Sequence, residues 1–280
     1  MDHKAGTLYV VSTPIGNLND ISHRAIEILK KVDICAAEDT RKSIKLFNTH
    51  NISTKLISYH KFSERTKATN LINKLIDGEN IAIISDAGTP MISDPGGYLV
   101  NQAIKSDINI VPIPGASSVT AALSVSGFNI DIFKFFGFLS RKKKEREAVI
   151  KEISTLGVTS VVFESGKRIR KLLTEISEYL PTEIEIFIAR EMTKIHETFY
   201  RGTLSEVIQN LDSTPFGSKG EFVLIISGFE KHTCKDFSEE DQRIMDILLD
   251  SMSKKEALSL GSKILNKKRN FLYQKIIEEK

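Results

Sequence analysis

The chain is predicted to be an α/β protein: a parallel sheet in its first half, a second α/β region with a mixed sheet, and a small helical tail. Three observations carry this. Short, continuous apolar runs alternate with helix-period segments up to about residue 134, as a sheet covered on both faces requires. Each of several runs ends in a loop rich in Gly, Pro and small hydroxyl residues. Beyond residue 134 the pattern changes, and the last fifty residues carry helical spacing alone.

The elements follow in order. Thr7–Ser12 is a strand stopped by Thr13-Pro14-Ile15-Gly16-Asn17; Ile21, Ala25, Ile28, Leu29 and Val32 have helical spacing, with Asn19 or Asp20 as the expected N-cap. Ile34–Ala37, Leu56–Tyr59, Ile81–Ser85 and Ile108–Ile113 are the next strands, with a helix over about Glu64–Asp77 closed by Gly78. In the second region Phe133–Leu139, Val158–Phe163, Glu183–Ala189 and Glu221–Ser227 are strands. Glu183–Ile188 alternates polar and apolar residues, which predicts one solvated face and antiparallel pairing. Ser238-Glu239-Glu240-Asp241 has the pattern of a capping box, and two further helices are expected at Lys254–Leu265 and Asn270–Glu279. The expected domains are residues 1–128, 129–232 and 233–280.

Composition narrows the function. The chain has 280 residues, 41% hydrophobic and 27% charged, ordinary values for a globular protein. A net charge of +3 is too small to indicate a nucleic-acid partner by itself, so local clusters matter more. The two cysteines, Cys35 and Cys234, exclude a disulfide scaffold, and no Cys/His set has zinc spacing. Cys35, inside an apolar run, is expected to be a small core residue. No apolar segment is long enough for a signal or a membrane span, so a cytoplasmic protein with no membrane partner is expected.

Chemistry is expected where an open α/β sheet binds ligand, in the loops at the carboxyl ends of its strands. Four such loops stand out: Ser12–Leu18, Glu38–Arg41, Ser85–Gly97 and Pro112–Ser118. Any one could be an ordinary turn; four in succession on one sheet edge weaken that alternative. Neither G-x-G-x-x-G at a helix start nor G-x-x-x-x-G-K-[ST] occurs, so a dinucleotide or nucleoside triphosphate is not the expected ligand. A zwitterionic nucleoside without phosphate, such as S-adenosylmethionine, fits better, and no metal site is expected.

Taken together, Thr13-Pro14-Ile15-Gly16-Asn17-Leu18, Glu38-Asp39-Thr40-Arg41, Ser58-Tyr59-His60, the long Ser85–Gly97 motif and Pro112-Ile113-Pro114-Gly115 closely resemble the ribosomal RNA small-subunit methyltransferase I family. Gly137-Phe138-Leu139 with Arg141-Lys142-Lys143, Phe163-Glu164-Ser165, Arg190-Glu191 through Glu197, and Lys219–Phe222 extend the resemblance, which runs from about Thr7 to Gly228. It implies the tetrapyrrole-methylase fold, S-adenosylmethionine as cofactor, 2′-O-methylation of a cytidine in the decoding region of 16S ribosomal RNA, and a homodimer. The family commonly has Pro-Gly-Pro-Ser-Ala where this chain has Pro114–Ser118, which keeps the glycine and the hydroxyl. It commonly has Glu-Ser-Pro-His-Arg where this chain has Glu164-Ser165-Gly166-Lys167-Arg168, so no histidine stands there.

The resemblance implies a cofactor cleft lined by Pro14, Gly88, Thr89, Pro90, Ile92, Ser117 and Ser118 from the first region and by Phe163, Glu164, Glu221 and Phe222 from the second. Core packing competes for Phe163 and Phe222. Candidates to accept the hydroxyl proton or steady its oxygen are Asp39, Lys194, His196 and Glu197; helix capping is an equal alternative for Asp39. Arg41, His60, Arg141, Lys142, Lys143, Arg168, Arg190, Lys267 and Lys268 are the candidate RNA contacts, with a solvated face as the alternative for the basic clusters. Arg190 and Lys194, four apart, share a face if helical. A tetrapyrrole C-methyltransferase and a non-catalytic RNA-binding platform are the rival functions; the basic clusters count against the first and the intact loops against the second.

Overall fold

In the computed structural model the described residues are 5–60, 64–214, 219–229, 237, 239–265, 267 and 269–278, with the side chains of 239, 270, 271, 277 and 278 excepted. Residues Met1–Phe229 form one compact unit and Glu230–Lys280 a second. Cys234, Ser238 and Lys268 lie outside the described residues.

The first unit holds two five-stranded sheets. The first contains β1 (Thr7–Val11), β2 (Ile34–Ala37), β3 (Lys55–Ser58), β4 (Ile81–Ile84) and β5 (Asn109–Ile113) in the order β3-β2-β4-β1-β5. Every pairing in it is parallel. Alternate side chains enter two cores. Leu8, Ile34, Ala36, Ile81 and Ile83 meet Leu71, Ile72 and Leu75 of one helix and Leu99 and Ala103 of another on one face. Val11, Cys35, Ala37, Ala82 and Ile84 meet Ala25, Leu29 and Phe47 on the other. Both faces are covered, which is why β2 and β4 are apolar at every position. Cys35 is fully buried here, and burial pushes its thiol pKa far above the ordinary range.

The covering helices are α1 (His23–Lys31), α2 (Thr40–Thr49), α3 (Glu64–Ile76) and α4 (Gly97–Lys105). Helix α1 starts two or three residues later than expected. Asn17 caps a short 3-10 turn at Leu18–Asp20, and Ser22 caps α1 itself through the Ala25 amide at 3.1 Å.

After α5 (Ser118–Ser124) the second sheet begins: β6 (Phe133–Phe138), β7 (Thr159–Ser165), β8 (Glu185–Arg190), β9 (Thr198–Thr203) and β10 (Glu221–Ile226), ordered β6-β7-β10-β8-β9. Only β6–β7 is parallel, so the sheet is mixed as expected. The expected solvated face of the Glu183–Ile188 segment is corrected beyond Glu185. Ile186 and Ile188 face a core shared with α6 (Lys143–Leu156), α7 (Gly166–Ser177) and α8 (Leu204–Ser213). Phe187 and Ala189 on the opposite face are also buried, against Val119, Ala122 and Leu123 of α5. A helix that precedes the second sheet in sequence covers it, so the two sheets belong to one compact unit although they meet near the expected boundary at residues 128–129.

The second unit contains α9 (Glu239–Ser251), α10 (Lys254–Ile264) and α11 (Arg269–Glu278) around Met245, Ala257, Leu258 and Leu272. Ser253 and Glu256 make a capping box for α10. Among the described residues, no helix is long and apolar enough to cross a membrane.

Candidate active site

All four expected loops lie at the carboxyl ends of the parallel strands, and they are joined to one another. Thr13 and Gly88 exchange backbone hydrogen bonds at 2.9 and 3.0 Å, tying the loop after β1 to the loop after β4. Asp86 receives the Asp39 amide at 2.9 Å and the Lys42 ammonium at 2.7 Å, tying in the loop after β2. The Thr89 hydroxyl donates to the Ala116 carbonyl at 3.2 Å, tying in the loop after β5. A Cβ on Gly115 would lie 2.9 Å from that of Ser12, so only glycine lets these two loops touch. The Ser85–Gly97 segment is the hub, and it contains two non-glycine residues in the left-handed region, Met91 and Ser93, each at φ 71°. Such conformations persist where the surroundings over-determine them.

The loops form one wall of a cleft of about 260 Å³, and the second sheet forms the other. From the first half come Ile15, Glu38, Asp86, Ala87, Gly88, Thr89, Ile92, Ser93, Asp94, Ser117 and Ser118; from the second come Phe138, Phe163, Glu164, Ala189, Glu191, Met192, Lys194, Glu221, Phe222 and Val223. Of the expected cofactor residues, Gly88, Thr89, Ile92, Ser117, Ser118, Phe163, Glu164, Glu221 and Phe222 line it. Pro14 and Pro90 are buried and are not in the wall; they shape the loops behind it.

Among the four candidate catalytic residues only Lys194 lines the cleft. The segment after β8 is a turn, not a helix, with Glu191 at φ 50° and Thr193 at φ 63°, so Arg190 and Lys194 share no helical face. The turn fixes Lys194, whose ammonium donates to Glu191 at 2.9 Å and Glu221 at 2.7 Å. Burial alone would lower the lysine pKa; the two carboxylates outweigh it and hold it above the ordinary value. Glu197 serves the turn itself by accepting the Thr193 amide at 2.6 Å, and His196 is exposed outside the wall. Asp39 faces Arg41, which bonds it through Nε at 3.0 Å and a terminal nitrogen at 2.8 Å. Those hydrogen bonds hold the Asp39 carboxyl down to about 2, which makes it a poor proton acceptor.

The candidate RNA contacts divide sharply. Arg141, Lys142 and Lys143 are exposed, and Arg41 is exposed while paired with Asp39. His60 is half-buried just beyond β3 and outside the cleft wall. Three others turn inward, contrary to the outward role expected. Arg190 is 8% exposed and donates to the Lys219 and His196 carbonyls at 2.7 and 3.2 Å. Arg168 donates to the Leu139 carbonyl at 2.7 Å and lies 3.0 Å from Glu164. Lys267 is buried and ion-paired with Asp241. Each sits where a backbone carbonyl or carboxylate would otherwise be buried without a donor.

The sequence did not single out Glu38, Asp86, Asp94, Phe138 or Glu191 as site residues. Asp94 is the most informative of these. Burial, then the charge of Glu38, pushes its pKa up to about 6; Glu38 is itself raised by burial and by Asp86. The available signal was the pair of aspartates, Asp86 and Asp94, inside the long motif. In the opposite wall Glu164 is 1% exposed; one carboxylate oxygen accepts the Ser165 amide at 2.8 Å, and Oε2 is ion-paired with the Arg168 guanidinium at 3.0 Å. Among the described residues, no group of His, Cys, Asp and Glu is arranged to hold a metal ion.

A crevice at the carboxyl ends of a parallel sheet, closed by a second sheet, has the layout of a small-ligand-binding α/β enzyme. Residues 7–208 match the family model described as Tetrapyrrole (Corrin/Porphyrin) Methylases. A protein of Synechocystis sp. named ribosomal RNA small subunit methyltransferase I is 42% identical over 278 residues, 98% of each chain. A Vibrio cholerae protein of the same name is 41% identical over 270 residues, 96% of this chain and 94% of that one. The chain therefore belongs to the tetrapyrrole methylase family, in the group of these relatives. Among solved structures, diphthine synthase superposes with a TM-score of 0.63 at 16% identity, covering 79% of this chain and 89% of that one. Uroporphyrin-III-C-methyltransferase from Thermus thermophilus gives 0.56 at 16%, covering 80% and 94%. At that identity the structures share the fold.

Proposed function

We propose that this protein is an S-adenosylmethionine-dependent methyltransferase that methylates the ribose 2′-oxygen of a cytidine in the decoding region of 16S ribosomal RNA. One observation carries the cofactor assignment: the cleft has no phosphate-binding motif and is rich in acid. Glu38, Asp86, Asp94 and Glu164 all face it, a field that disfavours phosphate and favours a ligand carrying positive charge. The residues fit such a ligand. Ile15, Phe163 and Val223 offer apolar surface, and Ser117 and Ser118 offer hydroxyls. The names of the relatives support the RNA substrate.

The bound cofactor supplies an electrophilic methyl group. What remains for the protein is to hold a ribose oxygen in line with it, keep water out and manage one proton. Asp94, with its carboxyl raised to about 6, is the cleft carboxylate best matched to take the hydroxyl proton near neutral pH. Lys194 keeps its own proton, so it acts as a fixed positive charge beside the developing oxyanion. We take the protein to act in the cytoplasm, as a homodimer. Exposed Ile130, Ile132 and Phe133, at and before edge strand β6, are apolar surface that such a contact would cover.

The direct test is transfer of labelled methyl from S-adenosylmethionine to purified small subunits, followed by mapping of the modified nucleotide. A 2′-O-methylated cytidine is the expected product. Label on another atom, or on a tetrapyrrole in place of RNA, overturns the assignment.

A further inference from the structure

The start of the second sheet contains an irregularity with a consequence for substrate recognition. Strand β6 pairs with β7 through Phe135 opposite Val161 and Gly137 opposite Val162, so Phe136 is an extra residue. Without it the strand would alternate regularly, and Phe138 would share a face with Phe136, which packs against the helix-covered core of the second sheet. The bulge reverses that alternation. Phe138 falls opposite Phe163, on the face that Phe135 shares, and it lines the cleft. Gly137 makes the turn possible: it sits at φ 64°, and a Cβ there would come 2.9 Å from the Ser93 hydroxyl of the hub loop.

The ring so delivered is open. Phe138 is 58% exposed, although its edge-to-face neighbour Phe163, 5.4 Å away between centroids, is partly buried. Phe163 is in turn braced by Phe135 at 4.8 Å. A large aromatic ring held by a backbone irregularity, backed by two more rings and left uncovered at a cleft mouth, is a platform for a flat ligand. Three residues further on begins the exposed run Arg141, Lys142, Lys143 and Lys144. Lys142 and Lys143 pair with Glu145 and Glu147, while Arg141 and Lys144 make no salt bridge among the described residues. Aromatic surface next to exposed cationic side chains is the combination that binds an unstacked base together with its phosphates.

We propose that Phe138 is the stacking platform for a nucleobase of the RNA substrate, the adjoining Arg141–Lys144 run holding the flanking phosphates. This rests on the reading of the protein as an RNA methyltransferase and adds the residue that receives the base. The cofactor also carries a base, so the test must separate the two. Phe138→Leu keeps apolar bulk and removes the ring face; Phe138→Tyr keeps the ring. Steady-state methylation of small subunits is measured for both variants, and cofactor affinity is measured separately by calorimetry without RNA. The expected result is a roughly ten- to hundredfold rise in the RNA concentration for half-maximal rate with Leu, near-wild-type behaviour with Tyr, and unchanged cofactor affinity in both. Loss of cofactor affinity in the Leu variant with an unchanged RNA requirement assigns the ring to the adenine and overturns the proposal. A Leu variant with wild-type constants overturns it as well. If the wild-type protein transfers no methyl to RNA, it is the functional reading that fails, and calorimetric titration with a short single-stranded RNA then decides the platform: affinity that Leu lowers and Tyr keeps upholds it, and affinity unaffected by Leu overturns it.

Discussion

The two walls of the cleft are built on different principles. The first is made of contiguous loops that leave parallel strands in one direction, each presenting its residues together. The second is assembled from single positions on strands of both directions, Phe163 and Glu164 on β7, Ala189 on β8, Glu221 to Val223 on β10, with the turn after β8. A parallel sheet gathers its functional residues in sequence because all its carboxyl ends point one way. A mixed sheet scatters them, and only its register brings them together: Phe222 opposite Glu164 on one side and opposite Arg190 on the other. The first wall, a cross-linked unit, should therefore keep its structure when a single position changes, so that such changes report on chemistry and binding alone, while the second should depend on the pairings that align it.

The sharpest test of this division concerns Asp94 in the hub loop. Asp94→Asn is nearly isosteric, so the wall should stay intact while its proton acceptor is lost, and kcat should fall about 10²-fold or more. In the wild-type protein the rate should rise with pH through about 6, because the raised carboxyl must ionise before it can accept a proton; that limb should vanish in the variant. A profile unchanged by the substitution removes Asp94 from the chemistry.

Thr89→Leu tests the cross-links of the first wall. It removes the hydrogen bond to the Ala116 carbonyl and places an apolar side chain at the cleft surface. Cofactor affinity should drop about tenfold, by comparison with the ~1–3 kcal/mol typical of overpacking, while the thermal midpoint moves by only a few degrees. An unchanged affinity in a folded variant would show that this loop does not meet the ligand.

The smallest effect is expected at Arg168, which joins the second wall to the basic run by holding Glu164 and the Leu139 carbonyl at once. Arg168→Lys keeps the charge and loses the guanidinium, one terminal nitrogen of which reaches both. It should raise the cofactor and RNA concentrations for half-maximal rate together, a few-fold each, with kcat little changed. If only the RNA requirement rises, Arg168 contacts the substrate directly and the inward placement has no functional weight.

Legibility in the sequence followed the same division. Strands β1 to β5 and their loops were readable, because cover on both faces makes β2 and β4 unbroken apolar runs and leaves the others an apolar centre, and the loops use Gly and Pro for close approach. Strand β9 was not, since Thr198–Thr203 is an edge strand with exposed Phe199 and Arg201 and carries no clear period. The burial of Phe187 depends on α5, some sixty residues earlier, and no local pattern records that cover. Among the charged residues, chemical type alone could not separate the outward Arg141 from the inward Arg190 and Lys267, because that depends on which carbonyl or carboxylate the fold leaves beneath each side chain. The bulge at Phe136 was equally silent: Phe133–Phe138 has the same composition with Phe138 on either face.

Cys35 has a use unconnected with catalysis. Its thiol sits between the first sheet and the helices on one face, fully covered and held in the protonated form. Thiolate, not thiol, is the nucleophile that attacks an alkylating reagent, so labelling at this position has to wait for β2 to come away from its neighbours. In a chain with Cys234 replaced by serine, and at reagent concentrations where alkylation outpaces reclosing, the rate of alkylation would report the rate at which the first sheet opens. The sheet thus contains its own clock, and bound cofactor, which the loops at its edge would clamp, should slow it.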